Sequence, residues 1–257
     1  MSKLLVVDIG NTTTKVGVWE DGRVTGVRAE RTSELPDVSA VDTFVAPLAD
    51  QDDDAESPLD VALCSVVPQA EARWLRWVEV EGAAPFAITG EGETPLRNRY
   101  RRPEQLGPDR LAAAVGAASR LGTPVIVVSL GTATVVDVVS PDGRFLGGMI
   151  AAGVSTGLCA LADQTAALPR VDPRGEVRLT GSDTEECMRS GAVIGTAAMI
   201  EGLVARMQGA VGEGAPVAVT GGYAELIGPH LRIEHEVLPH LVLEGTALIW
   251  EHNREGD

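Results

Sequence analysis

The chain has 257 residues, enough for one large domain or two small ones with a substantial core, and its 44% hydrophobic and 23% charged residues are ordinary for a globular protein. Twenty-one basic against 37 acidic residues give a net charge of −16. That argues against a nucleic-acid partner, which needs a basic face, but still allows a nucleotide held by backbone N–H groups, local positive charge and Mg2+. No apolar run approaches the ~18 residues of a membrane span, and Met1-Ser2-Lys3 leads straight into a strand pattern with no signal peptide, so no membrane partner and a cytoplasmic location are expected. Cys64, Cys159 and Cys187 are odd in number and widely spaced, which suggests neither a disulfide framework nor a zinc site. His230, His235, His240 and His252 are loosely spaced near the C-terminus and read as solvated.

In chain order, residues 4–7 form a short apolar strand ended by Asp8-Ile9-Gly10-Asn11. Thr12 to Trp19 alternate loosely, and Glu20-Asp21-Gly22-Arg23 is a turn before Val24. The acidic stretch Asp50 to Glu56 reads as a solvated loop, Val61 to Val67 as a buried strand, and Gln69 to Trp77 as a helix. Leu111, Ala114, Val115, Ala118 and Leu121 recur at helical spacing, and Gly122-Thr123-Pro124 stops that helix. The opening pattern then returns: apolar Val125 to Val128, Ser129-Leu130-Gly131-Thr132, a strand from Ala133 to Val139, and the turn Pro141-Asp142-Gly143-Arg144. A slide of 121 residues gives eight identities in eighteen gapless positions, including Gly10 with Gly131, Thr13 with Thr134 and the whole Asp-Gly-Arg turn. The duplication predicts a mixed α/β architecture with two similar halves, 1–111 and 112–257, facing each other across a cleft. A helix from about Thr184 to Gln208, a strand from Pro216 to Thr220 ending in Gly221-Gly222, and a terminal helix from Gly245 to His252 complete the pattern.

Asp8 to Lys15 carry the most chemistry. A carboxylate at the end of a buried strand suits a hydrated Mg2+, Gly10 lets the backbone approach phosphate oxygens, and Thr12, Thr13 and Thr14 supply hydroxyl and N–H donors. The Walker A spacing is absent. A second constellation runs from Tyr100-Arg101-Arg102-Pro103 to Leu106-Gly107-Pro108-Asp109-Arg110, where Gly107 and Pro108 open a helix and Asp109 falls in its first turn. The helix field alone accounts for an acid there. The same field also keeps a carboxylate ionised and ready to take a proton from a substrate hydroxyl, with Arg110 pairing an anionic group. Arg97, Arg99, Arg101, Arg102 and Arg110 lie within fourteen residues, as either a solvated face or an anion site, and the sequence leaves both open.

The first loop, together with Gly131-Thr132-Ala133-Thr134 and Thr220-Gly221-Gly222, resembles the phosphate loops and adenosine turn of the superfamily that holds actin, acetate and sugar kinases and chaperone ATPases. Asp-x-Gly-Asn-Thr, Tyr100 followed by Gly-x-Asp-Arg, Gly-Thr-Ala-Thr, Gly147-Gly148-Met149-Ile150 and Gly181-x-Asp183-Thr184 together look like type III pantothenate kinase, over nearly the whole chain. The resemblance implies duplicated ribonuclease-H-like domains, each a central mixed sheet flanked by helices, with the active site in the interdomain cleft. It further implies ATP-dependent phosphorylation of pantothenate to 4′-phosphopantothenate, the first step towards coenzyme A, by a homodimer using Mg2+ and a monovalent cation. By the same resemblance Asp8, Ile9, Gly10, Asn11, Thr12, Thr13, Thr14 and Lys15 bind the ATP phosphates, with Thr132 opposite and Asp8 reaching Mg2+ through water. Tyr100, Gly107, Pro108, Asp109 and Arg110 line the pantothenate site, Asp109 is the general base, and Thr184 reaches the substrate from the neighbouring subunit.

Three positions depart from the family pattern. Ser129 stands where the family usually has the aspartate that binds the monovalent cation. A serine hydroxyl is a neutral and weaker ligand, so a K+ or NH4+ site in this chain is left open. Pro108 replaces a common alanine, and Ala152 replaces the proline of Gly-Gly-x-Ile-x-Pro-Gly. Ser129 also feeds the main alternative, a kinase-like protein kept for regulation or nucleotide binding. The other alternative is a different small-molecule kinase of the superfamily.

Overall fold

The computed structural model describes residues 3–49 and 60–254, so the acidic stretch 50–56 lies outside the described residues. The chain divides into two compact units, Met1–Ser119 with His240–Asp257, and Arg120–Pro239; residue 111 falls inside a continuous helix of the first.

In the first unit, β1 (Leu4–Ile9), β2 (Thr13–Glu20), β3 (Arg23–Arg31), β4 (Asp60–Ser65) and β5 (Pro85–Ala87) form a sheet of order β3-β2-β1-β4-β5. The pairs β1/β2 and β2/β3 are antiparallel, whereas β1/β4 and β4/β5 are parallel. Asp21 (φ 51°) and Gly22 (φ 75°) both take the left-handed backbone that a two-residue hairpin turn demands. Both faces of β1 are buried, which is why its sequence is an unbroken apolar run. Leu5, Val7 and Ile9 pack under α1 (Val38–Ala49) and α2 (Pro68–Val80), where Trp74 meets Phe44 and Trp77 edge-on at 6.5 and 5.8 Å. A short strand β6 (Arg97–Asn98) and α3 (Pro108–Leu121) follow.

The second unit repeats this topology. β7 (Val125–Leu130), β8 (Ala133–Val139), β9 (Arg144–Ala152), β10 (Val217–Thr220) and β11 (Glu236–Val237) stand in the order β9-β8-β7-β10-β11, again with two antiparallel and two parallel pairings. Its helices are α4 (Val154–Gln164), the 28-residue α5 (Thr184–Val211) and the short α6 (Ala224–Ile227). By length and composition α5 could cross a membrane, although charged residues interrupt its sequence. Its Met188, Val193, Ala197, Ile200 and Val204 are buried in the unit, and the last four join Ile126, Val128 and Leu130 in its core.

The gapless repeat conceals two compensating slips. Ile9 pairs with Thr14 across Gly10–Thr13, but Leu130 pairs with Thr134 across the shorter Gly131–Ala133. The following turn restores the offset, because four residues separate Trp19 from its partner Val24 and five separate Val139 from Phe145. The counterpart of Thr134 is therefore Thr14 rather than Thr13, and both are buried.

The last helix, α7 (Leu241–Arg254), belongs to the first unit, where Leu243, Ala247 and Trp250 cover Leu4, Val6, Trp19 and Ala62. It also touches α3 backbone to backbone. A Cβ at Gly116 would sit 2.6 Å from the Leu241 carbonyl oxygen, and one at Gly245 would overlap the Ala112 carbonyl. Gly245→Ala should gain about 1 kcal/mol of helix propensity and lose roughly 3 kcal/mol to overpacking, so the urea midpoint falls. An unchanged or raised midpoint would contradict this contact.

Candidate active site

Strand alternation places the first group of polar residues. Asp8 shares a face of β1 with Leu4 and Val6, the face covered by α7, and its register partners there are Lys15 on β2 and Cys64 on β4. Asp8 keeps some accessible surface, yet its carboxyl lies deep enough that burial pushes it up to about 7; the Lys15 charge lowers it and the Asp109 carboxylate raises it further. The Cys64 thiol is fully buried and held well above its ordinary value by desolvation first, then by the Asp8 and Asp109 charges, against its hydrogen bond with Thr246. His240, expected to be solvated, is half-buried: its Nδ1 is buried with no partner, and burial and Lys15 hold it below its usual range.

The loop after β1 is braced from a distance. The Gly10 N–H donates to the Thr13 carbonyl (3.1 Å), and the Thr32 hydroxyl donates to the Gly10 carbonyl (2.7 Å). With its proton so used, Thr32 accepts from the Thr14 hydroxyl (3.0 Å). The side chains of Ile9 and Thr14 are buried, so they meet a ligand only through backbone. Asn11 and Thr12 are exposed, while Thr13 and Lys15 are half-buried.

α3 presents the second group. Asp109 Oδ1 accepts from the Arg110 N–H (2.9 Å), which is shared with the Gly107 carbonyl (3.1 Å). A Cβ on Gly107 would lie 2.6 Å from that Oδ1, so glycine makes the space the carboxylate occupies. The Arg110 guanidinium is buried against Tyr100, 5.4 Å from the ring centroid, with Nη1 donating to the phenol oxygen at 3.4 Å. Tyr100 is fixed by Asn98, whose Oδ1 accepts its N–H (2.8 Å) while Nδ2 donates to the Gly90 carbonyl (2.8 Å). Pro108 opens the helix, as expected. Tyr100, Gly107, Asp109 and Arg110 thus form one cluster, and Asp109 is near enough to Asp8 and Cys64 for their charges to interact.

In the second unit, exposed Thr132 offers its carbonyl to the Gly153 N–H (3.1 Å) and the Thr156 hydroxyl (2.7 Å), so the Gly131-Thr132 loop rests on the start of α4. Gly221 (φ 98°) abuts the end of β7, where any Cβ would strike the Leu130 backbone, and the Tyr223 N–H donates to the Leu130 carbonyl (3.1 Å). Ser129, half-buried at the end of β7, has Val135 and Thr220 as register partners. Thr184 is exposed at the start of α5, on a groove of about 840 Å3 between α4 and α5. Asp183 caps this helix by accepting from the Glu186 N–H (2.8 Å).

The sequence pattern of the type III pantothenate kinase family matches residues 4–206. The chain belongs to that family. It is 39% identical to a type III pantothenate kinase of Roseiflexus sp. (strain RS-1), over 98% of this chain and 99% of that one. In fold it is similar to a conserved Baf-family protein from Campylobacter jejuni (TM-score 0.62, 16% identity, 98% and 99% of the chains) and to a ROK hexokinase from Thermus thermophilus (TM-score 0.54, 16% identity, 99% and 100%). The two repeated sheets are thus those of the actin-like, sugar-kinase-like fold.

Against the type III pantothenate kinase pattern, Ala152 ends β9 without disturbing the loop, because Gly153 still meets Thr132. Ser129 brings only a hydroxyl, and its register partners add one more, from Thr220, and no carboxylate. Sequence reasoning missed Thr32, Cys64, Thr246, His240 and the buried Asp137, which shares the face of Ser129 through its pairing with Val127. Asp137 was legible as an acid inside a strand of valines; the others depend on chain-distant packing that no local pattern signals.

Proposed function

We propose that this chain transfers the γ-phosphoryl group of ATP to the primary hydroxyl of pantothenate, giving 4′-phosphopantothenate and ADP. The observation that carries the reading is the placement of Asp109 in the space left by Gly107, beside Arg110 and Tyr100 and within electrostatic reach of Asp8. Asp109 accepts the hydroxyl proton as that oxygen bonds to phosphorus and the bond to the ADP oxygen breaks. Arg110, with Tyr100, receives the acceptor's carboxylate. Asp8 through Lys15 hold the phosphates from the first unit. Thr132 and the adenosine turn at Thr220–Gly222 serve from the second.

Mg2+ fits at Asp8: a carboxyl that burial keeps protonated up to about 7 is one that a nearby cation would ionise. Held there by Asp8, such an ion would supply positive charge against that of the phosphates. A K+ or NH4+ ion fits less well at Ser129, which lacks the anionic ligand. We read the active form as a cytoplasmic homodimer in which Thr184 approaches the partner's acceptor site. Supporting this are the exposed Leu146, Met149 and Ile150 on β9 and Leu161 on α4, apolar groups that a second copy would cover.

An assay of the purified protein with ATP, Mg2+ and pantothenate, with and without K+, tests the reading. Phosphopantothenate formation is the expected result; ATP binding without turnover would favour a regulatory protein. Wild-type turnover should respond little to K+, and Ser129→Asp should create or strengthen K+ activation. No response in that variant would show that the pocket is lost more widely.

A further inference from the structure

Arg97, Arg99, Arg101 and Arg102 are all exposed, and residues 97–105 set these four against a single acid, Glu104. Among the described residues no carboxylate forms an ion pair with any of the four. They flank Tyr100, whose ring lies against the Arg110 guanidinium, and Arg110 directly follows Asp109. The rest of the protein has the opposite sign, since the whole chain carries a net charge of −16. Such a field repels every anion that must enter, and both proposed substrates are anions.

We propose that these four arginines form an electrostatic collar that concentrates anionic acceptors at the mouth of the Tyr100–Arg110 site, distinguishing a carboxylate-bearing acceptor from a neutral alcohol of the same shape. This rests on the function proposed above and adds to it a source of substrate selection outside the residues that touch the substrate. The four side chains are exposed to solvent, so a charge effect exerted through solvent acts on encounter and occupancy. It therefore appears in KM, is screened by salt, and needs positive charge rather than the guanidinium fork.

The test uses full-length protein with all four arginines changed to glutamine, and a companion with all four changed to lysine. KM and kcat are measured for pantothenate and for pantothenyl alcohol, its neutral analogue, at about 20 mM and about 0.5 M ionic strength, where the Debye length falls from ~20 to ~4 Å. At low salt the glutamine variant should raise KM for pantothenate roughly three- to ten-fold with kcat unchanged. The analogue's KM should not move, the lysine variant should behave as wild type, and high salt should remove the difference. Equal KM changes for both acceptors, a change that persists in high salt, or no change would each overturn the collar. Wild-type protein that turns over no pantothenate would refute the function and the collar together; normal wild-type turnover with an unaffected glutamine variant refutes the collar alone.

Discussion

Asp109→Asn should lower kcat by about two to four orders of magnitude while leaving the dissociation constant for ATP within a factor of about two. The amide oxygen can still accept the Arg110 N–H that now reaches Asp109 Oδ1 at 2.9 Å, so the start of α3 is preserved. What is lost is a group able to take up the acceptor's proton. Loss of the acid from the helix N-terminus costs only about 0.3–1 kcal/mol of stability, too little to imitate such a fall in rate. Single-turnover rates at saturating ATP, together with nucleotide titration, separate the two effects. A rate within a factor of about three of wild type would reduce Asp109 to a favourable charge at a helix end.

Asp8→Asn should abolish measurable Mg2+-dependent turnover and yet stabilise the free protein above neutral pH. The sign follows from the raised carboxyl. Between the ordinary aspartate value of 3.8 and about 7 the folded protein keeps a proton that the unfolded chain has released, so its stability falls as pH rises through that window and levels off above it. Asparagine removes this dependence, and at pH 8 the variant should be more stable by on the order of 2–4 kcal/mol. The difference should fade as pH approaches 4. Urea unfolding at both pH values without nucleotide is the measurement; a variant equally destabilised at both would show that the carboxylate supports the fold. Mg2+ with ATP should stabilise wild type more than the variant, since only wild type releases a proton to receive the cation.

The duplicated hairpins were legible because the text of the first strand, its glycine and its turn recur at a fixed interval, and both sheets share one topology. The gapless match shifts the whole second strand by one residue: it sets Thr13 and Val18 against Thr134 and Val139, although strand pairing makes Thr14 and Trp19 the counterparts. A shorter loop followed by a longer turn cancels in the sequence and is visible only in hydrogen-bond register. α1 and α4 escaped detection as well. Pro47 sits inside α1 and masks its pattern even though Asp37 caps its start by accepting the Ala40 N–H (2.9 Å), while α4 follows directly from β9 with only Gly153 between them. The acceptor cluster was legible in outline from Tyr100 and Gly107 to Arg110, because one short segment contains it all. By contrast, the surroundings of Asp8 depend on α7, more than 230 residues away, which brings Thr246 against Cys64. The bracing of Gly10 by Thr32 likewise spans 22 residues.

The most direct test is a crystal structure with a non-hydrolysable ATP analogue, Mg2+ and pantothenate bound together. The account predicts the acceptor's primary hydroxyl within about 3 Å of the Asp109 carboxylate and its carboxylate on Arg110, with the Asp8 loop on the phosphates. A triphosphate bound away from residues 8–15, or an acceptor whose hydroxyl faces some other base, would contradict it.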